Sequence, residues 1–477
     1  MTAAPAGRVA RVLLGLLAAL ALSAGCAAPE QATDEARGAV RDEVDQRLGQ
    51  LPRDEPGVVA EARVRALLAD GVTEDEAVRV TVLSNRAITA RYAELGVHTA
   101  ELAVASLWAN PVLDVGLLFF EDGTEIELGL SQSFVNAILR PRREAAARRG
   151  LDAARARVAR EVVGRAYATR RAHVEALAAR ERLELESRHA AAAEAAVELA
   201  RRLHAAGNTT AVALALEEAA LSERLLERSA AERALLAARE SLAREMGLWG
   251  ELAAFELAGS LRADPAGGLE LERVESRAIA SSLDLAERRA QVAALTQEAG
   301  LAELDARLQE AELGVGAARE HDSSDWGLGP RGSLGIPLVD TGSARGFGAR
   351  ARVAAAEADA WARAVAIRSM ARTFRDRLRA LDAEARFARE VLVPAELRVV
   401  EETLRNYNAM QVGVFDVLRA QGVALAADRR RVALSAEAAK ARLDLEELLA
   451  GRANDARLFL DGHSAAGSTP RTTAGGH

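Results

Sequence analysis

Two proline-poor stretches constrain this chain more than any other feature. No proline lies between Pro141 and Pro265, and only Pro394 lies between Pro337 and Pro470. Both stretches are rich in Ala, Leu, Glu and Arg, which favour helices, while aromatic residues make up only 3% of the chain. They predict four long helices, at residues 143–205, 211–246, 343–406 and 414–449. At ~1.5 Å of rise per residue, the first would be roughly 90 Å long.

The two pairs of helices belong to a tandem duplication. "LSQSF" begins at Leu130 and "LGIPL" begins at Leu334, an offset of 204 residues (334 − 130). The same offset of 204 separates Leu214 from Leu418 in the returning helices (418 − 214). One offset that relates both a strand end and a distant helix predicts two copies of the same unit.

Four short segments alternate apolar residues with small or charged ones. They predict strands at residues 110–120, 124–134, 312–318 and 326–338. Successive strand residues point to opposite faces, so Leu128 and Leu334 are expected on one face, with Gly129 and Gly335 on the other. This alternation is typical of a transmembrane β-barrel with a polar lumen, whose strands need ~9–11 residues to cross the bilayer. The alternative is a pair of soluble hairpins packed on helices.

Four strands are too few to close a barrel in a membrane. The smallest such barrels have about eight strands, and lipid does not tolerate open sheet edges. Two chains would supply eight strands, whereas three would supply twelve and leave room for a passage. The pattern therefore predicts an oligomer.

The N-terminus has the pattern of an export signal. Arg8 and Arg11 precede the apolar run "VLLGLLAALAL" at 12–22, and "SAGC" ends at Cys26. The run is shorter than the ~20 residues of a transmembrane helix and is typical of a secretory signal peptide. Cys26 is the sole cysteine, which excludes an intrachain disulfide. It resembles the acylation site of bacterial lipoproteins, although Ser23 stands where leucine is usual; the alternative is ordinary cleavage beside an incidental cysteine.

Other functional classes find little support in the sequence. The net charge of −8 is spread evenly and argues against nucleic-acid binding. The seven histidines show no metal-ligand spacing such as His-x-x-x-His. "GLGPRG" at 327–332 is not followed by a helix with the spacing of a phosphate loop. We therefore expect no catalytic activity, no cofactor and no metal site.

Six motifs, in order along the chain, resemble the TolC-like outer-membrane efflux proteins. They are "GVTEDEAVRVTVLSNRAITA", "SLWANPVLDV", "GLSQSFVNAILRPRREAA", "AAGNTTAVALALEEA", "GIPLVDTGSARG" and "YNAMQVGVFDVLRAQ". Ala77, Leu83 and Asn85 lie at the expected places of the first motif. The last motif is similar in sequence to the same region of family members associated with heavy-metal efflux, including copper efflux. The resemblance covers about residues 71 to 450.

The resemblance implies a mainly α fold with a small β part. In this duplicated TolC-like fold, long helical hairpins form an α-barrel, and four strands per chain contribute to a twelve-stranded trimeric transmembrane β-barrel. The homotrimer would be lipid-anchored in the bacterial outer membrane and would extend into the periplasm. It would conduct cargo passively, such as heavy-metal ions, drugs or other small molecules, from an inner-membrane pump and a periplasmic adaptor (membrane fusion protein). The alternatives are a periplasmic coiled-coil adaptor, a type I secretion duct or a secreted enzyme.

The resemblance also places the periplasmic entrance and the adaptor contact at the two helix breaks, 205–210 and 408–413. The residues implied are Gly207, Asn208, Thr209, Thr210, Tyr407, Asn408, Gly413, Asp416 and Arg419. Asp416 and Arg419 are three residues apart on a helix and are expected to pair. Met410 stands where many relatives have glycine. The alternative is that these residues serve only turns and packing.

These features divide the chain into consecutive segments. We expect a lipoprotein signal peptide at 1–25, an N-terminal periplasmic segment at 26–70, a first repeat at 71–250, a linker at 251–280, a second repeat at 281–450 and a disordered tail at 451–477.

Overall fold

The structure is a computed structural model that describes residues 29–53, 58–120, 123–308, 311–319, 326–335 and 341–455. The described residues fall into two compact units. The first unit takes its residues from Met1–Glu43, Arg91–Ala159 and Leu283–Arg363. The second takes its residues from Val44–Ala90, Arg160–Ser282 and Ala364–His477. Each unit therefore draws on both predicted repeats.

Helices make up most of both units. They are α1 (Pro29–Leu48), α2 (Val58–Leu68), α3 (Glu74–Ser84), α4 (Arg86–Ser106), α5 (Phe134–Ala205), α6 (Ala211–Met246), α7 (Val274–Ser281), α8 (Leu283–Leu308), α9 (Ser343–Phe387), α10 (Val393–Asn408) and α11 (Val414–Leu449). A 3-10 turn covers Gly250–Ala253, and a π turn covers Ala388–Leu392 between α9 and α10. Across the described residues, no helix combines the length and the apolar character needed to cross a membrane.

Two of the predicted helices differ from those observed, and prolines are involved in both. α5 begins at Phe134, not at 143, and contains Pro141. Its first turn is capped by Ser133, whose Oγ accepts a hydrogen bond from the Asn136 N–H at 3.4 Å, so the helix starts as soon as the preceding strand ends. The helix predicted at 343–406 is interrupted by the π turn just before Pro394. Pro394 has no N–H to donate, and distorted turns are common at such positions.

The four strands lie in the first unit and form one antiparallel sheet. They are β1 (Val112–Phe120), β2 (Gly123–Ser133), β3 (Ala311–Arg319) and β4 (Gly327–Leu334), and they pair in the order β1-β2-β3-β4. The fourth strand was predicted to reach 338. It ends at Leu334, and residues 336–340 lie outside the described residues.

The first unit also joins the N-terminal helix to α4. The Thr33 and Thr99 hydroxyls are hydrogen-bonded at 2.6 Å, and the Arg41 guanidinium lies 5.6 Å from the centre of the Tyr92 ring. These contacts fix α1 along α4, which leads directly into β1.

The core of the second unit lies around the end of α6. Leu242 and Met246 are fully buried there, in one cluster with Val80 and Leu83 of α3. Asn85, one of the motif positions, donates its side-chain N–H to the Glu245 carbonyl oxygen at 2.8 Å. The motif at 71–90 therefore serves this packing, because it supplies both the apolar face of α3 and the amide that holds α6.

Candidate functional site

The sheet has one apolar face that the described residues leave uncovered. Along one row across the sheet, Val115 pairs with Leu128, Leu128 with Ala317, and Ala317 with Leu328. The residues of this face that are more than half exposed are Leu113, Val115, Leu117, Phe119, Leu313, Leu328 and Leu334. An exposed apolar surface of this extent is typical of a site that contacts lipid or another protein.

The opposite face is made mostly of small and charged residues, with Val112 and Leu118 of β1 as large apolar exceptions. Gly129 pairs with Asp114 on one side and with Gly316 on the other, so it lies on the face opposite Leu128, as the alternation predicts. On the same face, Arg331 Nη2 lies 3.3 Å from Glu127 Oε2. Solvent-exposed ion pairs of this kind suit a surface in contact with water.

Gly314 permits an unusually close approach of β3 to β2. A Cβ atom at this position would overlap the backbone oxygen of Leu130 and would lie 2.8 Å from the Cα atom of Ser131. Both are backbone atoms that cannot move aside, so only glycine fits. Gly314 thus has a local steric role, whereas a Cβ atom at Gly329 on the same face would meet nothing within 4 Å.

The two outer strands each have an open edge. β1 and β4 stand at the ends of the strand order, and among the described residues neither has a partner on its outer side. Such an edge presents a row of unpaired backbone N–H and C=O groups that can pair with another strand.

The first helix break lies in the second unit, between α5 and α6. Gly207 has φ +76°, its N–H donates to the His204 oxygen at 2.9 Å, and the Asn208 N–H donates to the Leu203 oxygen at 2.8 Å. These two bonds form a Schellman-type end of α5. Thr210 then caps α6, because its hydroxyl accepts from the Ala213 N–H at 3.2 Å.

The second break, between α10 and α11, repeats this backbone geometry. The Met410 N–H donates to the backbone oxygen of Tyr407 at 2.9 Å, and the Gln411 N–H donates to the backbone oxygen of Asn406 at 2.9 Å. Met410 has φ +60° in the place of Gly207, and Gly413 takes the cap position of Thr210. The two breaks are therefore equivalent tips of two helical hairpins.

The equivalence of the tips corrects the predicted offset. Met410 follows Gly207 by 203 residues (410 − 207), not 204, so Leu214 matches Val417, not Leu418. At the strands the offset remains 204, because β2 begins at Gly123 and β4 at Gly327 (327 − 123). The second copy thus has one residue fewer between its strand and its tip.

The predicted residues beyond the second break act mainly within their own hairpin. Asp416 Oδ2 accepts the Gly413 N–H at 3.0 Å, which caps α11, and Asp416 also pairs with Arg419 at 3.7 Å, as expected. Tyr407 is on the other side of the break and is 41% exposed. Of the other predicted residues, Asn208, Thr210 and Asn408 are exposed and Thr209 is half-buried. Cys26 lies outside the described residues.

The sequence predicts no metal site, but the fold brings three potential metal ligands together. Glu186 and His189 of α5 meet Glu227 of α6, and one potential ligand atom from each lies within 4.8 Å of the others. The spacing of Glu186 and His189 by three residues is a weak signal by itself. The third residue comes from another helix, so only the fold brings the group together.

Long helical hairpins with matched tips, together with a four-stranded antiparallel sheet, define the TolC-like fold, as the six motifs predict. Three solved structures with this fold are similar to the chain. The outer membrane protein VceC from Vibrio cholerae is 16% identical, with a TM-score of 0.65 over 80% of this chain and 96% of VceC. The outer membrane channel CmeC from Campylobacter jejuni is 13% identical, with a TM-score of 0.62 over 79% of this chain and 85% of CmeC.

The third is the outer membrane channel MtrE from Neisseria gonorrhoeae in its open state. It is 15% identical, with a TM-score of 0.62 over 79% of this chain and 88% of MtrE. No protein-family model and no curated protein sequence matches the chain. At these identities the likeness concerns the fold, and the function has to be argued from the surfaces described above.

Proposed function

We propose that three copies of this chain form the outer-membrane channel of a tripartite efflux system. The observation that carries this proposal is the sheet, with its uncovered apolar face and its open edges at β1 and β4. An apolar face of this kind suits lipid, and each backbone group left unpaired in lipid costs several kcal/mol. The strands of one chain therefore need strands of further copies on both sides.

The polar face would then line a water-filled lumen. Asp114, Glu127 and Arg331 lie on it among glycines, which leaves space and charge for a hydrated passage. Conduction through such a wall is passive and needs no catalytic group. We propose that the cargo consists of small molecules or ions, heavy-metal ions among them, and that a pump supplies them.

The two hairpin tips would form the periplasmic entrance and contact the adaptor. Gly207, Asn208 and Thr210 of one tip, and Asn408, Gly413 and Arg419 of the other, are exposed and available to a partner. Because the tips share one backbone geometry, three copies would offer six similar binding positions. An adaptor with repeated units could occupy all of them with one kind of contact.

We also propose that Cys26 is acylated and anchors the N-terminus in the outer membrane. The apolar run at 12–22 and the sole cysteine after it support this. Cys26→Ser should remove the lipid mass from the mature N-terminus, measured by mass spectrometry of the intact protein. A wild-type N-terminus that carries no lipid would refute the anchor.

The closure of the sheet by other copies can be tested with a pair of introduced cysteines. Leu113 and Leu334 lie at the helix-proximal ends of the two outer strands. Within one chain these strands are three strand spacings apart, about 14 Å, and a disulfide needs Cα atoms within about 7 Å. Leu113→Cys with Leu334→Cys should therefore give disulfide-linked dimers and trimers in membranes, detected on a non-reducing gel.

The variants with only one introduced cysteine, Leu113→Cys and Leu334→Cys, serve as the matched controls and should stay largely monomeric on the gel. Mass measurement in detergent should give three chains, and the purified protein should conduct ions in a planar bilayer. A monomer that neither crosslinks nor conducts would contradict the proposal and favour soluble hairpins.

A further inference from the structure

A buried group of potential metal ligands lies between the helices of the second unit. Glu186 and His189 come from consecutive turns of α5, and Glu227 comes from α6. His189 Nδ1 is 3.5 Å from Glu186 Oε2, and all three ligand atoms lie within 4.8 Å of one another. Ligand atoms bound to one Zn²⁺ at ~2.0–2.2 Å in a tetrahedron are roughly 3.3–3.6 Å apart. A contraction of about 1 Å would therefore complete such a site.

The buried polar atoms of this group lack hydrogen-bond partners. The side chain of Glu186 is only 1% exposed, and that of His189 only 4%. Neither carboxylate oxygen of Glu186 has a hydrogen bond, and neither does His189 Nε2. A buried polar group without such a bond costs about 1–3 kcal/mol, and more when it is charged. A bound cation would supply a partner for the Glu186 oxygens.

We propose that Glu186, His189 and Glu227 bind a divalent first-row transition-metal cation of the Zn²⁺ class. One imidazole nitrogen and two carboxylate oxygens are a common ligand set for such ions, and water would complete the coordination. The site lies 19 residues (205 − 186) before the end of α5, about 28 Å from the tip at the rise of an α-helix. The ion would hold α5 to α6 along this stretch. The site does not depend on the proposed function.

Arg429 of α11 occupies the place of the cation when none is bound. Its Nη1 lies 3.2 Å from Glu186 Oε1 and 3.5 Å from Glu227 Oε1, so one guanidinium pairs with both carboxylates. Arg182 also lies 3.9 Å from Glu186 Oε1, and Arg224 pairs with Glu227 Oε2. The Arg429 side chain is 31% exposed, which leaves it a route to solvent. Cation binding must therefore displace Arg429, and this competition distinguishes a metal site from a purely structural ion-pair cluster.

The experiment uses the full chain in detergent, purified without a histidine tag and stripped with a chelator. Titration with Co²⁺, followed by its visible absorption, should show one site per chain, and Zn²⁺ should displace the Co²⁺. His189→Gln should weaken binding at least tenfold. The matched control is His98→Gln with Glu101→Gln, because His98 and Glu101 form an exposed pair with the same spacing, 2.9 Å apart. That variant should bind as the wild type does.

Arg429→Gln supplies the decisive comparison. If the cluster is a metal site, removing the competing guanidinium should tighten Co²⁺ binding severalfold. If the cluster is only structural, the same substitution should lower the thermal unfolding temperature and leave Co²⁺ binding absent. Wild-type protein that binds no more Co²⁺ than His189→Gln, together with no gain from Arg429→Gln, would overturn the proposal.

Discussion

At the scale of single residues, the two tips differ most at Gly207 and Met410. Both have a left-handed backbone, with φ of +76° and +60°. This conformation costs a residue with a Cβ atom about 1–2 kcal/mol, and Met410 is 94% exposed, so packing does not offset the cost. The second tip is therefore strained where the first is not.

We expect Met410→Gly to stabilise the second tip by about 0.5–1 kcal/mol, because part of the gain is lost to the greater freedom of glycine in the unfolded chain. Hydrogen exchange of the Gln411 amide, which is bonded to the Asn406 oxygen at 2.9 Å, should become about two- to fivefold slower. The reverse change, Gly207→Ala, should speed exchange of the Asn208 amide. Unchanged exchange in both variants would show that the strain is relieved by another route.

One buried histidine should make the stability of the protein depend on pH. His173 is buried, and its Nε2 donates to the Val72 oxygen at 2.9 Å. Burial lowers its pKa, although the hydrogen bond to Val72 raises it, and the net shift is downward. The unfolded chain therefore takes up a proton below about pH 6.5 that the folded chain does not. The free energy of unfolding should then fall as the pH drops from about 6.5 through the lower, folded-state pKa.

The thermal unfolding temperature should accordingly decrease between pH 7 and pH 5. His173→Gln should make this decrease smaller, because the variant has one fewer histidine to protonate on unfolding. His204→Gln, at an exposed position of the first tip, is the matched control. A decrease of the same size in all three proteins would assign the pH dependence to other groups.

At the scale of elements, the two faces of the sheet give a matched pair of neighbouring positions. Val115 is 64% exposed on the apolar face, whereas Gly116 is on the polar face, where a Cβ atom would lie 3.6 Å from Glu127 Oε2. Val115→Arg should cost ~2–4 kcal/mol in lipid, whereas an arginine at 116 can pair with Glu127. Refolding into lipid vesicles and urea unfolding measure this difference.

Gly116→Arg should instead change the conductance or ion selectivity of the assembled protein, because its side chain would enter the passage. Leu128→Arg, on the strand paired with Val115, should repeat the loss seen for Val115→Arg. Equal losses of stability at positions 115 and 116 would indicate a sheet buried on both faces.

Elements differ in how far the sequence predicts them. α6 and α11 run over the predicted ranges, because a turn with a cap residue at Thr210 or Gly413 marks each start in the sequence itself. The start of α5 was predicted too late, since Pro141 suggests a boundary and yet lies inside the helix. The alternation of the strands predicts their faces but not the register. The group of Glu186, His189 and Glu227 depends on helix packing, which no local pattern encodes.

At the scale of the whole molecule, the duplication and the proposed trimer act together. Each chain has two tips with the same backbone hydrogen bonds, so three chains would place six tips around one axis. A passage closed there needs contacts between copies that are strong enough to hold the tips together and weak enough for a partner to break. Hydrogen bonds with a charged group, worth ~1.5–3 kcal/mol each, meet both conditions when symmetry repeats them three times.

Tyr407 and Asp416 are the residues of the second tip best suited to such contacts. The Tyr407 side chain is 41% exposed, and Asp416 keeps 45% of its side chain exposed while it caps α11. A closed state favoured by several kcal/mol would keep the open state rare until an adaptor binds the open state preferentially.

We therefore predict that Tyr407→Phe with Asp416→Asn raises single-channel conductance or antibiotic leakage and leaves the yield of trimers unchanged. Asparagine retains an oxygen to accept the Gly413 N–H, so the variant removes the charge and keeps the cap. A double variant that conducts like the wild type would place the closing contacts elsewhere, and Arg419, the partner of Asp416 at 3.7 Å, would be the next residue to change.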